Sequence, residues 1–189
     1  MSIPAALEHN VVRGRVVTNI ALVIAGSIII ALAAQIAVPI PFTPVPLTLS
    51  PLAVLIVGIA LGSRRGAAAA ILYLLEGLSG LPVGAQGHGG PLWLIGPTAG
   101  YLYAYPFAAF IAGWFSERGW GNSIPRAFVA MLVALAVIYA GGWSWLSILA
   151  GPRAALTLGI VPFVIADLVK IAIGAAILPY AQRLITRLP

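Results

Sequence analysis

The stretch VPFVIADLVKIAIGAAIL (residues 161–178) decides the fold class, because it belongs to an apolar run of membrane-helix length that contains two charges. Lys170 is the only lysine in the chain, and Asp167 precedes it by three residues. Residues three apart share one face of a helix, so the acid and the base should lie side by side. Charges within a membrane helix usually face a cavity, so this pair is the first candidate for a ligand site. The alternatives are a structural ion pair and, less favoured, a proton relay.

The composition indicates an integral membrane protein. Of the 189 residues, 61% are hydrophobic and 7% are charged, whereas soluble domains have about 25% charged residues. The absence of cysteine excludes disulfides and thiolate metal sites. The net charge of +6 comes from scattered basic residues, so no nucleic-acid partner is expected. No signal-peptide cleavage site follows the first apolar segment, which is therefore expected to be retained.

The hydrophobic pattern predicts an all-α membrane protein with six transmembrane helices in one domain, after a cytoplasmic N-terminal segment (1–16). The predicted helices cover about 17–38, 50–62, 66–79, 99–115, 127–140 and 154–184. Four prolines in PIPFTPVP (39–46) exclude regular helix there and define a proline-rich loop, 39–50. A second connection, the glycine-rich loop 80–98, contains no Asp, Glu, Lys or Arg.

The arginines predict the orientation of these helices. With six spans, eight of the nine arginines fall on the side of the termini, and Arg153 alone falls on the other side. The eight are Arg13, Arg15, Arg64, Arg65, Arg118, Arg126, Arg183 and Arg187. The positive-inside rule then places both termini in the cytoplasm.

The long, Gly- and Pro-rich loops fall on the outer side in this topology. Irregular backbone at membrane depth is tolerated only where it is buried in protein or lines a cavity, so the ligand site is expected near the outer face. The sequence shows no internal repeat, and an inverted-repeat secondary transporter therefore receives no support.

Five side chains in these loops are candidates for ligand contact. In the glycine-rich loop they are Gln86, His88 and Trp93, in a segment that forms a lid or a pocket wall, or else is a plain external loop. In the proline-rich loop they are Thr43 and Thr48, which line a cavity if the loop is not simply an interfacial connector.

Two further features suggest supporting roles. Glu76 lies just before the glycine-rich loop, where it can orient the loop, touch a ligand or reach water. Small residues four apart let helices approach closely, and helix 1 carries two such pairs, Ala21 with Ala25 and Ala33 with Ala37. These pairs serve either packing within the bundle or docking onto another membrane subunit.

Enzyme motifs are missing from the chain. It lacks G-x-x-x-x-G-K-[ST], H-E-x-x-H and G-x-S-x-G, so neither ATP hydrolysis nor another recognisable reaction is expected. A membrane enzyme using Asp167 as a base is an alternative that predicts chemical turnover of a ligand.

Four ordered motifs carry a family resemblance: PIPFTPVPLTL, LGSRRGAAAAILYLLEGLSGLPV, LIGPTAGYLYAYPFAAFIAG and ADLVK. Together they resemble the BioY family, the biotin-binding S components of energy-coupling-factor transporters, over nearly the whole chain. The resemblance implies a six-helix bundle with the vitamin site near the outer face. It also implies that Asp167 and Lys170 contact the ureido ring of biotin and that the segment 84–90 closes over the ligand.

The resemblance assigns further residues. Gly96, Pro97, Thr98 and Tyr101 match the segment that shapes the pocket, and the helix 1 alanines resemble the surface offered to the coupling subunit. Two positions depart from the family pattern: His88 stands where members often have arginine, and Ser50 where many have glutamine.

The function implied is biotin uptake by a cell-membrane subunit that captures biotin from outside, with no cofactor. Its implied partners are membrane lipid, a transmembrane coupling subunit and two cytoplasmic ATPases. The alternatives are a stand-alone secondary biotin transporter, oligomeric or not, and an S component for another small vitamin.

Overall fold

The computed structural model describes the backbone of residues 5–185 and the side chains of residues 14–179. Within this part, seven α-helices and two short strands follow in order: α1 (Ala5–Gln35), β1 (Ala37–Val38), β2 (Leu47–Thr48), α2 (Ser50–Leu61), α3 (Ser63–Leu78), α4 (Ala99–Glu117), α5 (Ile124–Ala150), α6 (Pro152–Gly159) and α7 (Val164–Ile185). The glycine-rich loop contains two short 3-10 turns, Ala85–Gly87 and Pro91–Leu94. The predicted all-α architecture is confirmed.

Two helical segments, Gly14–Gln35 and Ile124–Ala150, are long and apolar enough to cross a membrane, and the bent pair α6–α7 makes a third if it is one span. With that pair counted once, the described residues form six helical segments in the predicted order. That all six cross the membrane, and that both termini are cytoplasmic, stay predictions. The side chains of Arg13, Arg183 and Arg187, on which the orientation partly rests, lie outside the described residues.

The prediction of one helix over 154–184 is wrong, because α6 and α7 meet at a bend of 51°. Pro162 lies in the break, where it has no N–H to donate and where its ring disfavours helix at the preceding residue. The predicted end of the fifth helix at 140 is also wrong, since α5 continues to Ala150. Gly141 lies inside α5 and allows α4 to approach closely: a Cβ there would lie 2.6 Å from the carbonyl oxygen of Gly100 on α4.

The predicted first helix, 17–38, is displaced at both ends. It begins at Ala5, within the segment predicted to precede it, and ends at Gln35. The next residues are extended, because Ala37 pairs with Thr48 in an antiparallel ladder and Pro39 disfavours helix at the residue before it. Ala33 and Ala37 therefore do not form a small-residue pair on one helix, which corrects the second predicted motif.

The core forms around α4, which packs against α2, α3 and α5. Small residues allow this, since a Cβ at Gly58 on α2 would overlap the backbone of Ala109 on α4. At the far end of α4, the carboxylate of Glu117 accepts hydrogen bonds from the backbone N–H of Ser63 (2.7 Å) and from its hydroxyl (2.8 Å). A negative charge at a helix N-terminus is favourable, so this contact joins α4 to the start of α3.

Candidate ligand site

A cavity lies between the two loops and the outer ends of the helices. This inner chamber holds about 610 Å³ of empty space, its open mouth included. Residues from both loops and from five helices or their ends line it: Val45, Pro46, Leu47, Thr48, Ser50, Pro51, Tyr73, Ala85, Trp93, Thr98, Tyr101, Leu102, Tyr105, Ile138, Tyr139, Phe163 and Asp167. Segments far apart in sequence therefore build one mostly apolar site with a few polar groups.

Asp167 and Lys170 share a helix face, as predicted. Lys170 Nζ lies 2.8 Å from Asp167 Oδ1 and donates a second hydrogen bond, of 2.7 Å, to the carbonyl oxygen of Thr48. Tyr139 on α5 donates to the other carboxylate oxygen, Asp167 Oδ2, at 2.7 Å. Asp167 lines the chamber, whereas Lys170 is not among the lining residues. The lysine and the tyrosine thus hold an anionic acceptor at the chamber wall.

The position of Asp167 follows from the break between α6 and α7. Asp167 lies in the first turn of α7, where a carboxylate interacts favourably with the helix dipole. The break also frees carbonyl groups of α6 from helical partners. Tyr101 donates to the carbonyl oxygen of Gly159 at 2.7 Å, and Thr43 donates to that of Leu158 at 2.6 Å. These bonds satisfy the interrupted backbone, as a membrane interior requires.

Three hydroxyl groups continue the polar wall. The Oγ atoms of Thr48 and Ser50 lie 2.7 Å apart, and Ser50 Oγ lies 2.7 Å from the hydroxyl of Tyr105. Each hydroxyl carries one hydrogen and can also accept. The two bonds need two of the three hydrogens, so the third can donate to a ligand oxygen.

Aromatic rings supply an apolar part of the lining. Trp93 meets Tyr73 edge to face with ring centroids 5.6 Å apart, and Tyr73 stacks on Tyr105 at 6.3 Å. The glycines at 77 and 84 make room for the indole, because a Cβ at Gly84 would lie 2.7 Å from Trp93 Nε1 and one at Gly77 would overlap the ring. Trp93 is therefore held in one position by residues before it in the chain.

A second cavity, the vestibule, adjoins the chamber and shares Pro46, Ala85, Trp93 and Thr98 with it. Its remaining lining residues come from the two loops: Pro39, Ile40, Thr43, Pro44, Gln86, His88, Gly89, Leu92, Gly96 and Pro97. The predicted contact residues are thus divided, with Thr48, Tyr101 and Asp167 in the chamber and Thr43, Gln86 and His88 in the vestibule. Thr98 and Trp93 lie where the two cavities meet.

Local hydrogen bonds hold the glycine-rich loop over the vestibule. The backbone N–H of Gly84 donates to the carbonyl of His88 (2.8 Å), and His88 Nδ1 lies 2.6 Å from the carbonyl oxygen of Ala85. Gln86 between them has a φ of 58°, which is uncommon for a residue other than glycine. From α1, Gln35 Nε2 approaches the carbonyl oxygens of residues 82, 83 and 84 at 3.3, 3.2 and 3.0 Å.

The predicted supporting residues lie away from both cavities or at their edge. The Glu76 carboxylate accepts a short hydrogen bond from Ser27 on α1 and lines neither cavity, while its backbone carbonyl accepts from Leu81 N at 3.2 Å. Gly96 and Pro97 line the vestibule, and Trp145 Nε1 donates to Gly96 O at 2.9 Å.

The alanines predicted for partner docking differ in exposure. Ala21 and Ala25 are exposed on α1, whereas Ala33 is half-buried and Ala37 lies in β1. The exposed pair leaves a small-residue stripe on the outside of the bundle.

Sequence reasoning missed the three tyrosines at 73, 105 and 139. Tyr139 had a usable signal, because it is the one hydroxyl residue in the apolar run AFVAMLVALAVIYA (127–140), and a phenol buried in a membrane helix needs a partner. Ser50 was noted only as a departure from the family pattern, although it links two other hydroxyls. Among the residues that the structure describes, no group of three His, Cys, Asp or Glu side chains could hold a metal ion.

Comparisons with known proteins show the family of the chain. The model of the BioY family matches residues 6–187. The chain belongs to the BioY family. It is 40% identical to the probable biotin transporter BioY of Pyrococcus horikoshii over 151 residues, which are 80% of this chain and 86% of the relative. It is 35% identical to the biotin transporter BioY of Rhizobium etli (79% of this chain, 84% of the relative) and 37% identical to that of Thermotoga maritima (74% and 82%).

A solved structure shares the fold of this BioY protein. The crystal structure of the S-component for biotin from an ECF-type ABC transporter superposes with a TM-score of 0.81 and 24% identity, covering 90% of this chain and 93% of that one. Together with the apolar helices, family and fold make the chain a multi-pass protein of the cell membrane.

Proposed function

We propose that this BioY protein captures biotin as the substrate-binding membrane subunit of an energy-coupling-factor transporter. The observation that carries the proposal is the Asp167 carboxylate, held by Lys170 and Tyr139 at the wall of an otherwise mostly apolar chamber. Relatives that are 35–40% identical over most of their length are named biotin transporters, which supports the same ligand.

The polar groups of the chamber match a cyclic urea. A ureido ring presents two N–H donors beside one carbonyl acceptor, and each carboxylate oxygen has two lone pairs. Each oxygen of Asp167 already accepts one hydrogen bond, so it can accept a ureido N–H as well. The hydroxyl series of Thr48, Ser50 and Tyr105 supplies a donor for the ureido oxygen.

Lys170 takes a different role from the one expected. Its ammonium group has three hydrogens, of which Asp167 and Thr48 O use two. We therefore assign Lys170 to orienting the carboxylate and anchoring the proline-rich loop. Direct donation to the ligand requires its third hydrogen to reach into the chamber.

The apolar part of the chamber suits the rest of the ligand. Tyr73 and Trp93 present aromatic faces, and Ile138, Leu102 and Phe163 add aliphatic and aromatic surface. Such walls with a few polar groups are typical of small-molecule sites. The glycine-rich loop over the opening acts as the lid in this proposal.

In this proposal, transport is completed together with a transmembrane coupling subunit and two ATPases. The exposed stripe with Ala21 and Ala25 on α1 is the surface proposed to meet the transmembrane coupling subunit, whose two ATPases supply the energy. Uptake by the chain alone is the competing arrangement. Uptake assays in a host with and without ATPase subunits separate the two.

Equilibrium binding of biotin to the purified protein in detergent tests the ligand. We expect saturable, one-site binding by the folded wild type and no chemical change in recovered biotin. Failure of a folded protein to bind biotin, together with binding of a different vitamin, would overturn the proposal in favour of another S-component substrate. Altered biotin in the recovered sample would instead indicate the enzyme alternative.

A further inference from the structure

The vestibule provides a separate environment for the ligand's tail. It shares Pro46, Ala85, Trp93 and Thr98 with the chamber, so the tail of a ligand whose ring lies against Asp167 would reach the vestibule by passing between these residues. The vestibule holds about 1120 Å³ of empty space, its open side included. Part of this volume is open solvent, so a tail longer than that of biotin can extend outward.

The imidazole of His88 belongs to the lining of this space. Its Nδ1 lies 2.6 Å from the carbonyl oxygen of Ala85, and because a carbonyl can only accept, Nδ1 carries the proton. In the neutral imidazole the other nitrogen, Nε2, is then an acceptor. The hydrogen bond from the N–H of Gly84 to the carbonyl oxygen of His88 also holds the backbone of His88. For the neutral ring, the contact with Ala85 O thus selects one tautomer.

The other vestibule side chains add no positive charge. The Thr43 hydroxyl donates its hydrogen to Leu158 O and accepts from Val45 N at 3.2 Å. Gln86 is a neutral amide. Among the described residues that line the vestibule, His88 is the one ionisable group, and Lys170 is engaged with Asp167. A carboxylate at the end of a tail therefore meets no fixed cation and depends on water and on neutral donors such as Gln86, Trp93 and Thr98, while an amide N–H finds an acceptor on the neutral ring of His88.

We infer that the vestibule is built for uncharged, hydrogen-bond-donating tails, so that the protein takes amides of biotin at least as readily as the free acid. This specificity rests on the proposed function, because it requires the ring of biotin to occupy the chamber. It extends the substrate class to conjugates in which the carboxyl group of biotin is joined to an amine.

Competition binding to the wild-type protein in detergent tests the inference with three probes: biotin, its primary amide, and biotin linked through an amide to a short alkylamine. We expect both amides to bind within about threefold of biotin or more tightly. Biotin binding more than tenfold tighter than the primary amide would overturn the inference and leave the proposed function standing. No binding of any of the three to folded protein would overturn the proposed function, and the inference with it.

The variant His88→Arg is the matched comparison, because it adds a fixed cation at the same place. We expect the ratio of acid to amide affinity to shift toward the acid by about tenfold, the effect of a hydrogen bond to a charged group. An unchanged ratio in folded His88→Arg would show that the tail does not lie beside residue 88 and would also overturn the inference. If this variant does not fold, the wild-type ratio decides alone.

Discussion

Replacing Asp167 and Lys170 together by a neutral pair separates ligand binding from structural support. The single variant Asp167→Asn leaves Lys170 with a positive charge on a side chain that is only 14% exposed. Removing one partner of a buried ion pair costs about 3–5 kcal/mol of stability. In the double variant Asp167→Asn/Lys170→Gln, the glutamine amide can still donate to Thr48 O, and no unpaired charge remains.

The two variants should therefore differ in stability but not in ligand binding. Neutral replacement of a buried pair often leaves stability unchanged or raises it, so the double variant should recover most of the loss. Both variants lose the charged acceptor for a ureido N–H, which is worth about 1.5–3 kcal/mol. The dissociation constant for biotin should rise by roughly ten- to a hundredfold in each.

Thermal unfolding in detergent and a biotin titration measure the two effects on the same samples. Trp93 touches both cavities and provides a fluorescence signal for binding. Tyr139→Phe is an informative third sample, since it keeps the ion pair and removes one hydrogen bond to Asp167. A double variant that is stable and binds biotin within about threefold of wild type would refute the reasoning, because the pair would then be purely structural.

Three further predictions concern the lid and the partner surface. Gly77→Ala should displace the Trp93 ring and weaken biotin binding at least tenfold, whereas Gly14→Ala, whose Cβ meets open space, should leave the measured affinity unchanged; equal affinities would contradict the packing argument. Gln35→Leu removes the donor that approaches three loop carbonyls, so stopped-flow release of biotin should become several-fold faster, and an unaltered rate would show that the contact does not restrain the lid. Ala25→Trp should preserve biotin binding by the purified protein and reduce ATPase-dependent uptake in cells; undiminished uptake would remove this face from the docking surface.

The ion pair could be predicted from the sequence because its geometry is local. Two charges three residues apart in an apolar helix must share a face, and the 2.8 Å contact agrees with this. The proline-rich and glycine-rich loops could be predicted for the same reason, since proline and glycine determine the backbone conformation at their own positions. Of the contact residues predicted in those loops and on the last helix, all but Lys170 line one of the two cavities, and their contact with a ligand stays a prediction.

The limits of the sequence reading appear where distant segments meet. The fifth helix is predicted to end at about 140, yet α5 continues through Gly141, where α4 packs closely against it. Pro162 was included in one long helix, although the bend it produces is what exposes Gly159 O and Leu158 O to Tyr101 and Thr43. Neither the approach of α4 to Gly141 nor the partners of these two carbonyl groups can be predicted from the local sequence.

The sequence by itself determined that this chain is a helical membrane protein, which residues bear charge inside it, and which loops are irregular. These properties depend on composition and on neighbours within about one helical turn. Only the tertiary structure decided that Tyr139 holds one oxygen of Asp167, that Lys170 reaches Thr48 across 122 positions of sequence, and that the loops line two neighbouring cavities. Those contacts arise from helix packing, which brings distant residues together through small side chains and buried polar bonds.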